Sequence, residues 1–306
     1  MDEIYDLIIV GGGAAGLTAG IYSSRARLST LILNEGAIGG QMVLTDEIAN
    51  YPGVEKTNGY LLANTMKNQA KQFGCKIKSN LKISAYHLEG EIKHVVLEDG
   101  REFRSRSVIL SPGGRPRPLQ IPGEEEFKGS GISYCATCDG EFFTGKKVIV
   151  VGGGNSALEE AVALTSHAEK VTIVHQFDHF QAFQHAIDQA KMNPKIEFVM
   201  ESELRSFYGN GALKEVSMEH LSTGETTSMP IDGVFIFAGY IPNTSDLKGI
   251  IELTERGEIV VDGDMKTSLP GVFAAGDCIR KKYRQVTTAV ADGTIASLSV
   301  SEYLRN

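Results

Sequence analysis

The chain has 306 residues, of which 42% are apolar and 22% charged, and its net charge is −8. That length sets a prior of two domains of ~100–200 residues each, and the composition excludes a disordered chain. A mildly acidic protein has no global electrostatic pull toward nucleic acid or an anionic membrane, so neither is expected as a partner.

In chain order, Ile4 to Val10 is an apolar run that stops at Gly11-Gly12-Gly13. A helix is expected over Ala14 to Ala26, and a second strand over Leu28 to Leu33. Strand, glycine turn, helix and strand open a parallel α/β sheet. Residues 76–110 read as short strands with turns, among them His94 to Glu98 before Asp99-Gly100. Pro112-Gly113-Gly114 and Pro116 to Pro118 read as a linker. The opening grammar then returns: strand Lys147 to Val151, turn Gly152-Gly153-Gly154, helix Ala157 to Ser166, strand Lys170 to Val174. Gly152 lies 141 residues after Gly11, too far for a solenoid period, so this is an internal repeat of a nucleotide-binding unit. A strand Gly233 to Ala238, a turn-rich Gly239 to Asn243 and a long helix Thr287 to Tyr303 close the chain. No apolar run reaches the ~18 residues of a membrane-spanning helix. The start, Met1-Asp2-Glu3, lacks the basic and apolar regions of a secretory signal, so a cytoplasmic protein is expected.

The 34 glycines are about a tenth of the chain, above the ~7% average, and they cluster where backbone must approach phosphate. Gly11, Gly13 and Gly16 form a Gly-x-Gly-x-x-Gly between strand and helix, serving a tight turn, close approach to a pyrophosphate and helix–strand packing. Glu35, 24 residues after Gly11, stands where a carboxylate accepts from a ribose hydroxyl. Gly152-x-Gly154-x-x-Ala157 repeats the pattern. An NAD site would place Asp or Glu after its second strand, and an NADP site arginines. Here the residues are His175-Gln176-Phe177, and no Lys or Arg occurs from His175 to Ala186. Each missing guanidinium contact forfeits about 1.5–3 kcal/mol. The fold of a nicotinamide site is expected without its charge chemistry, a vestigial cleft; NADPH held by backbone and histidines is the other reading.

Four cysteines make no disulfide framework. Cys135 and Cys138 form one Cys-x-x-Cys, a spacing that brings two sulfurs together at a helix start and favours thiolate and disulfide. Zinc is not expected: His179 lies 41 residues beyond Cys138 and there is no second Cys-x-x-Cys. A redox dithiol and an inert buried pair remain. Asp139 is a proton donor or acceptor for a sulfur, or a helix cap. Cys75 and Cys278 have no cysteine neighbour in sequence and are read as structural.

Taken together, Gly11 to Gly16, Gly39-Gly40-Gln41, Asn50-Tyr51-Pro52-Gly53, Cys135-Ala-Thr-Cys138-Asp139, Gly152 to Ala157, Gly239 to Asn243, Gly276-Asp277 and Arg284-Gln285 resemble the low-molecular-weight thioredoxin reductases, of the pyridine nucleotide–disulfide oxidoreductase class, over essentially the whole chain. The resemblance implies an α/β fold of two Rossmann-like, doubly wound domains. A discontinuous FAD domain, 1–113 plus 243–306, would hold a redox-dithiol domain, 114–242, as an insertion. It implies FAD at Gly11, Gly13, Gly16, Glu35, Gln41 and Asn50, with Asp277 near the ribityl chain and Arg284, Gln285 and Val286 at the isoalloxazine edge. It implies catalysis by Cys135, Cys138 and Asp139, with Cys138 facing the flavin and Cys135 attacking thioredoxin, and a homodimer. A helix starting near Thr287 would turn its positive end toward the reduced flavin anion.

The chain departs from that family at His175-Gln176-Phe177 and Gln181, where NADPH users carry arginines, and also at Ser111-Pro112-Gly113 and Asn155. In this it resembles the ferredoxin-dependent flavin thioredoxin reductases. An acidic ferredoxin would need local positive charge, which Arg280-Lys281-Lys282-Tyr283-Arg284 supplies as four cations in five residues, with Arg115 and Arg117 as further candidates. The expected enzyme is therefore a flavin-dependent thioredoxin reductase drawing on ferredoxin. A dithiol cannot face flavin and thioredoxin at once, so a domain rotation near 113 and 243 is expected. An NADPH-dependent reductase, an oxygen-using dithiol oxidase and a non-enzymatic flavin redox sensor are the alternatives.

Overall fold

The computed structural model describes residues 3–45 and 48–305, apart from the side chains of Thr137 and Cys138. Met1 and Asp2 of the acidic start lie outside them. The first strand, β1 (Ile4–Val10), is buried over its last four residues, as a central parallel strand covered on both faces must be. It feeds helix α1 (Ala14–Arg25), which stops short of Ala26 because Arg27 swings to φ 61°. Strand β2 (Thr30–Leu33) follows. Helix α2 (Gly59–Gln72), not foreseen from sequence, starts where the Asn58 Oδ1 accepts the Leu61 N–H at 2.9 Å. Four strands succeed it: β3 (Lys76–Lys78), β4 (Ile83–His87), β5 (Lys93–Leu97) and β6 (Glu102–Leu110).

The expected linker instead contains strand β7 (Gly114–Pro116). Beyond it run helix α3 (Glu124–Phe127), strand β8 (Ile132–Ser133), the one-turn helix α4 (Ala136–Asp139), strand β9 (Lys147–Val151), helix α5 (Asn155–Leu164) and strand β10 (Lys170–Val174). Helix α6 (Gln184–Met192) and strands β11 (Ile196–Val199), β12 (Ser202–Gly209), β13 (Leu213–His220), β14 (Thr226–Pro230) and β15 (Gly233–Ile236) complete that stretch. The expected turn at 239–243 contains strand β16 (Tyr240–Pro242), and β17 (Val272–Ala274) and helix α7 (Val286–Tyr303) end the chain. β7 and β16 pair with each other, a partnership across more than a hundred residues that neither segment announces locally.

The chain divides into two compact units, Met1–Arg115 with Ile241–Asn306, and Pro116–Tyr240. In the first, β3, β2, β1 and β6 lie in that order as parallel neighbours, with β17 parallel to the C-terminal half of β6. β5 and β4 extend the sheet antiparallel beyond β6. Ile8, Leu31 and Val108 pack one face, and Leu7, Ile32 and Ile109 the other. In the second unit, β11, β10, β9, β15 and β8 form a wholly parallel sheet, and β12–β13–β14 an antiparallel meander. Both of these sheets carry a glycine turn at the C-terminal end of a central parallel strand, where open α/β sheets bind ligands.

Candidate active site

The first glycine turn is built by steric demand. Gly11 holds φ +102°, and a Cβ there would lie 2.1 Å from the Ser111 carbonyl oxygen. A Cβ on Gly16 would lie 1.9 Å from the Gly11 carbonyl oxygen, so α1 can leave β1 this closely only with glycine present. Gly13 instead faces open space, with nothing nearer than the Gly40 Cα at 4.0 Å, which leaves backbone accessible to a phosphate. Asn34, which sequence reasoning passed over, closes the turn. Its Oδ1 accepts the Gly12 N–H at 2.7 Å and its amide nitrogen donates to the Gly36 and Ala37 carbonyls at 2.6 and 3.1 Å. An Asn directly after a strand otherwise rich in Leu and Ile was the available signal. Glu35, next to it, is exposed, and its Oε1 accepts the Ile83 N–H at 3.0 Å.

The residues expected at the far end of a dinucleotide come from both segments of this unit. Asn50 donates through Nδ2 to the Gln285 Oε1 at 3.3 Å. Gln285 is the N-cap of α7 and forms a capping box with Thr288, which is why the helix opens at Val286 rather than Thr287. Gln41 sits in a 3₁₀ turn, Gly40–Leu44, anchored by the Gly39 N–H donating to the Gly12 carbonyl at 2.8 Å. Helix α7 lies hard against α1: a Cβ on Gly293 would be 2.2 Å from the Ala15 carbonyl oxygen, and the buried Ser23 and Ser297 hydroxyls are 2.7 Å apart. Gly276 meets the same Ala15, which sets the adjacent Asp277 beside the first turn of α1.

Asp277 is the telling residue. Its Oδ1 is buried and has no hydrogen-bond partner among the described residues. Burial pushes its carboxyl above the usual Asp value, against the pull of Lys281 and Arg284. An orphaned buried acceptor costs about 1–3 kcal/mol and needs a donor from outside the chain. A polyhydroxyl chain supplies one, so the cradle of Gly11, Gly13 and Gly16 with Asp277 beyond it fits FAD.

The basic segment is weaker than its sequence suggests. Lys281 is ion-paired with Asp292, both side chains only 12% exposed. Asp292 also accepts the Gly276 N–H at 3.0 Å. Arg284 is ion-paired with Glu258 and donates through Nε to the Asp277 carbonyl at 3.2 Å. Two of the four cations therefore serve the fold, because carboxylates distant in sequence neutralise them. Arg280 and Lys282 are the exposed pair.

In the second unit Cys135 is disulfide-bonded, whereas Cys75 and Cys278, both of the first unit, are free thiols. Burial pushes the Cys75 thiol up to about 11 and the Cys278 thiol up to about 12, so both stay protonated and inert. Cys138 belongs to α4, but its side chain lies outside the described residues. Asp139 ends α4, its N–H donating to the Cys135 carbonyl at 3.2 Å. Its carboxylate accepts from the hydroxyl of Ser133 at 2.6 Å, and the same Ser133 Oγ accepts the Cys135 N–H at 3.0 Å. Ser133 is a second residue missed from sequence. Tyr134 is also tied down: its phenol donates to Glu124 Oε1 at 2.5 Å, and that buried carboxylate accepts the Leu119 and Gln120 N–H groups at 2.9 and 2.5 Å.

The second glycine turn copies the first, with φ +138° at Gly152 and a Cβ there 2.6 Å from the Phe237 carbonyl. A Cβ on Gly153 would sit 2.4 Å from the ring of His175, which is 5% exposed. His175 donates through its Nε2–H to the His179 carbonyl oxygen at 3.1 Å. Burial lowers its pKa and keeps the ring neutral, outweighing that carbonyl contact. Phe177 and Phe180 pack against the same ring. The Gln181 N–H donates to the Gly153 carbonyl at 2.8 Å and the Phe183 N–H to Asn155 Oδ1 at 2.7 Å. Among the described residues, no cluster of three His, Cys, Asp or Glu could hold a metal, and no helix is long and apolar enough to cross a membrane.

Residues 5–293 match the family described as pyridine nucleotide-disulphide oxidoreductase. A thioredoxin reductase from Peptoclostridium acidaminophilum is 43% identical over 311 residues, covering 99% of this chain and 98% of that protein. The chain belongs to this family, in its thioredoxin reductase branch. Among solved structures, Lactococcus lactis thioredoxin reductase in its FR conformation superposes with a TM-score of 0.96 at 37% identity, covering 98% of this chain and 99% of that one. A ferredoxin-flavin thioredoxin reductase from Clostridium acetobutylicum is 27% identical with a TM-score of 0.54, covering 100% and 99%. FAD is the cofactor of this flavoprotein.

Proposed function

We propose that this protein reduces thioredoxin through Cys135 and Cys138, with electrons from a ferredoxin rather than from NADPH. The domains at work are the FAD domain, 1–113 plus 243–306, and the dithiol domain, 114–242. Gly11, Gly13, Gly16, Glu35, Gln41, Asn50, Asp277, Arg284, Gln285 and Val286 hold the cofactor. Held by these residues, FAD would supply the chemistry that couples single-electron donors to two-electron disulfide reduction. In the reduced dithiol, the Cys135 thiolate attacks a sulfur of the thioredoxin disulfide. That S–S bond breaks, a mixed disulfide forms and one thioredoxin thiolate leaves. Cys138 then attacks the Cys135 sulfur, releasing the second thioredoxin thiolate and closing the Cys135–Cys138 disulfide. Two electrons pass to thioredoxin, and Asp139 moves the proton that accompanies them.

The observation that carries the donor assignment is the chemistry around the second glycine turn: neutral His175 with Gln176, Phe177 and Gln181, and no Lys or Arg from 175 to 186. A 2′-phosphate brought there would be desolvated without a counter-charge. Exposed Arg280 and Lys282 offer an acidic donor a small local attraction. The NADPH reading draws on one specific feature, the intact backbone of that turn at the start of α5. The homodimer is part of the same proposal, supported by exposed Tyr60, Leu61 and Leu298 in the first unit, and light scattering checks it. Anaerobic mixing decides the donor: reduced ferredoxin bleaches the flavin absorbance and NADPH does not. Rapid bleaching by micromolar NADPH overturns the assignment. Cys135→Ser keeps the bound flavin and abolishes thioredoxin turnover.

A further inference from the structure

We propose that Ser133 is a positioning residue for the dithiol chemistry, acting through Asp139. This rests on the reading of Cys135 and Asp139 given above. Ser133 ends a two-residue strand whose partner is β15, with Ser133 opposite Phe235. It is 5% exposed, so its hydroxyl must be satisfied within the fold. A hydroxyl has a single proton. At 2.6 Å that proton goes to the Asp139 carboxylate, while a lone pair of the same oxygen receives the Cys135 N–H at 3.0 Å. The Cys135 carbonyl lies 3.2 Å from the same oxygen, a longer and competing destination for that proton.

One atom therefore joins the backbone of the attacking cysteine to the group that handles its proton. Asp139 is also bound to Cys135 through its own N–H, across the single turn of α4. A carboxylate on so short a helix has little else in sequence to fix its rotamer. The Ser133 hydrogen bond, being charge-assisted, both orients it and leaves its second oxygen to accept or deliver a proton. The Glu124 carboxylate holds Tyr134 on the intervening residue, so the strand end that carries Ser133 is itself firmly placed.

The step affected is the opening of the protein disulfide. A reductant thiolate bonds to one sulfur, the S–S bond breaks, and the electron pair leaves on the other sulfur, which takes up a proton. The second thiolate of the reductant then attacks the reductant sulfur of that mixed disulfide, the bond to the protein sulfur breaks, and the reductant closes to its own disulfide while the protein is left with two thiols. With dithiothreitol as reductant, this reaction needs neither thioredoxin nor an electron donor for the flavin. Its rate is read as free thiols appearing with time.

Ser133→Ala slows that opening by about tenfold, the scale of one lost hydrogen bond to a charged group. Ser133→Thr, which keeps the hydroxyl, restores it to within about twofold of the unsubstituted protein. In an Asp139→Asn background, Ser133→Ala adds nothing, because both changes remove the same function. Flavin absorbance and melting temperature verify folding of each variant. Three results overturn the proposal: an unchanged rate in Ser133→Ala, a Ser133→Thr protein as slow as the Ala variant, or a full additive loss in the Asp139→Asn background. If the unsubstituted protein opens with dithiothreitol in this Ser133-dependent way and fails to reduce thioredoxin, the proposed function falls and the positioning role stands.

Discussion

The two glycine turns are copies of one design with opposite contents. Gly12 and Gly153 are equivalent, and so are Asn34 and His175, each pair 141 residues apart. In both units the middle glycine's carbonyl accepts an N–H from the following loop at 2.8 Å, from Gly39 in one and Gln181 in the other. In the first unit the residue after the second strand is a small amide that ties the loop down and is followed by the carboxylate of Glu35. In the second it is a buried imidazole, followed by the neutral Gln176, with Phe177 and Phe180 around it. Backbone geometry is thus retained where side-chain chemistry has changed. The shape of a dinucleotide turn is set by glycine sterics, whereas what it binds is set by the few side chains just beyond it.

The sharpest way to break this comparison is at the third fingerprint position. Gly16→Ala drives a Cβ to 1.9 Å from the Gly11 carbonyl and costs about 3 kcal/mol. The expected product is a colourless, destabilised protein, seen by flavin absorbance and denaturant melting. Its counterpart, Ala157→Gly, costs only about 1 kcal/mol by removing a helix-favouring methyl. Next in size is an exchange of chemistry. Gln176→Arg with Phe177→Arg tightens NADPH about tenfold per added guanidinium, measured by titration of flavin absorbance or by calorimetry. No gain would mean that the His175 loop itself closes the turn.

A smaller effect sharpens the ligand side of the first unit. The raised carboxyl of Asp277 means that the folded apoprotein keeps a proton that the unfolded chain has lost. Its stability therefore falls as pH rises from the ordinary Asp value through the raised folded one. Asp277→Asn flattens that profile and weakens FAD binding about tenfold, checked by urea melts of apoprotein and by flavin retention. The smallest effect belongs to His175. Its lowered pKa gives the opposite sign: the stability contribution is complete above the ordinary His value of ~6.5 and is lost as pH falls toward the lowered folded value. His175→Asn, which copies Asn34, removes that dependence in denaturant midpoints taken across mildly acidic pH.

Much of the site was legible because its requirements are local. Gly11, Gly13 and Gly16 announce a turn by spacing, and the strands Ile4–Val10, Lys147–Val151 and Lys170–Val174 have the bounds their apolar runs suggest. The residues that went unnoticed act at a distance or look ordinary. Asn34 and Ser133 are small polar residues of common type, and only the Gly12 N–H and the Asp139 carboxylate give them meaning. The cationic run at 280–284 carries less free charge than its sequence suggests for the same reason, since Asp292 and Glu258, which neutralise half of it, lie outside its sequence window.

By itself the sequence determined the two glycine-turn units, the Cys-x-x-Cys spacing of Cys135 and Cys138 and the absence of Lys and Arg after the second turn. Each is a matter of residue type at short spacing, governed by backbone sterics or formal charge. Only the tertiary structure decided which polar groups have partners: Asn50 with Gln285, Lys281 with Asp292, Ser133 with Asp139, and the Asp277 Oδ1 with none among the described residues. Hydrogen bonds and ion pairs form between atoms close in space. Closeness in space is fixed by the packing of sheets and helices and not by neighbourhood along the chain.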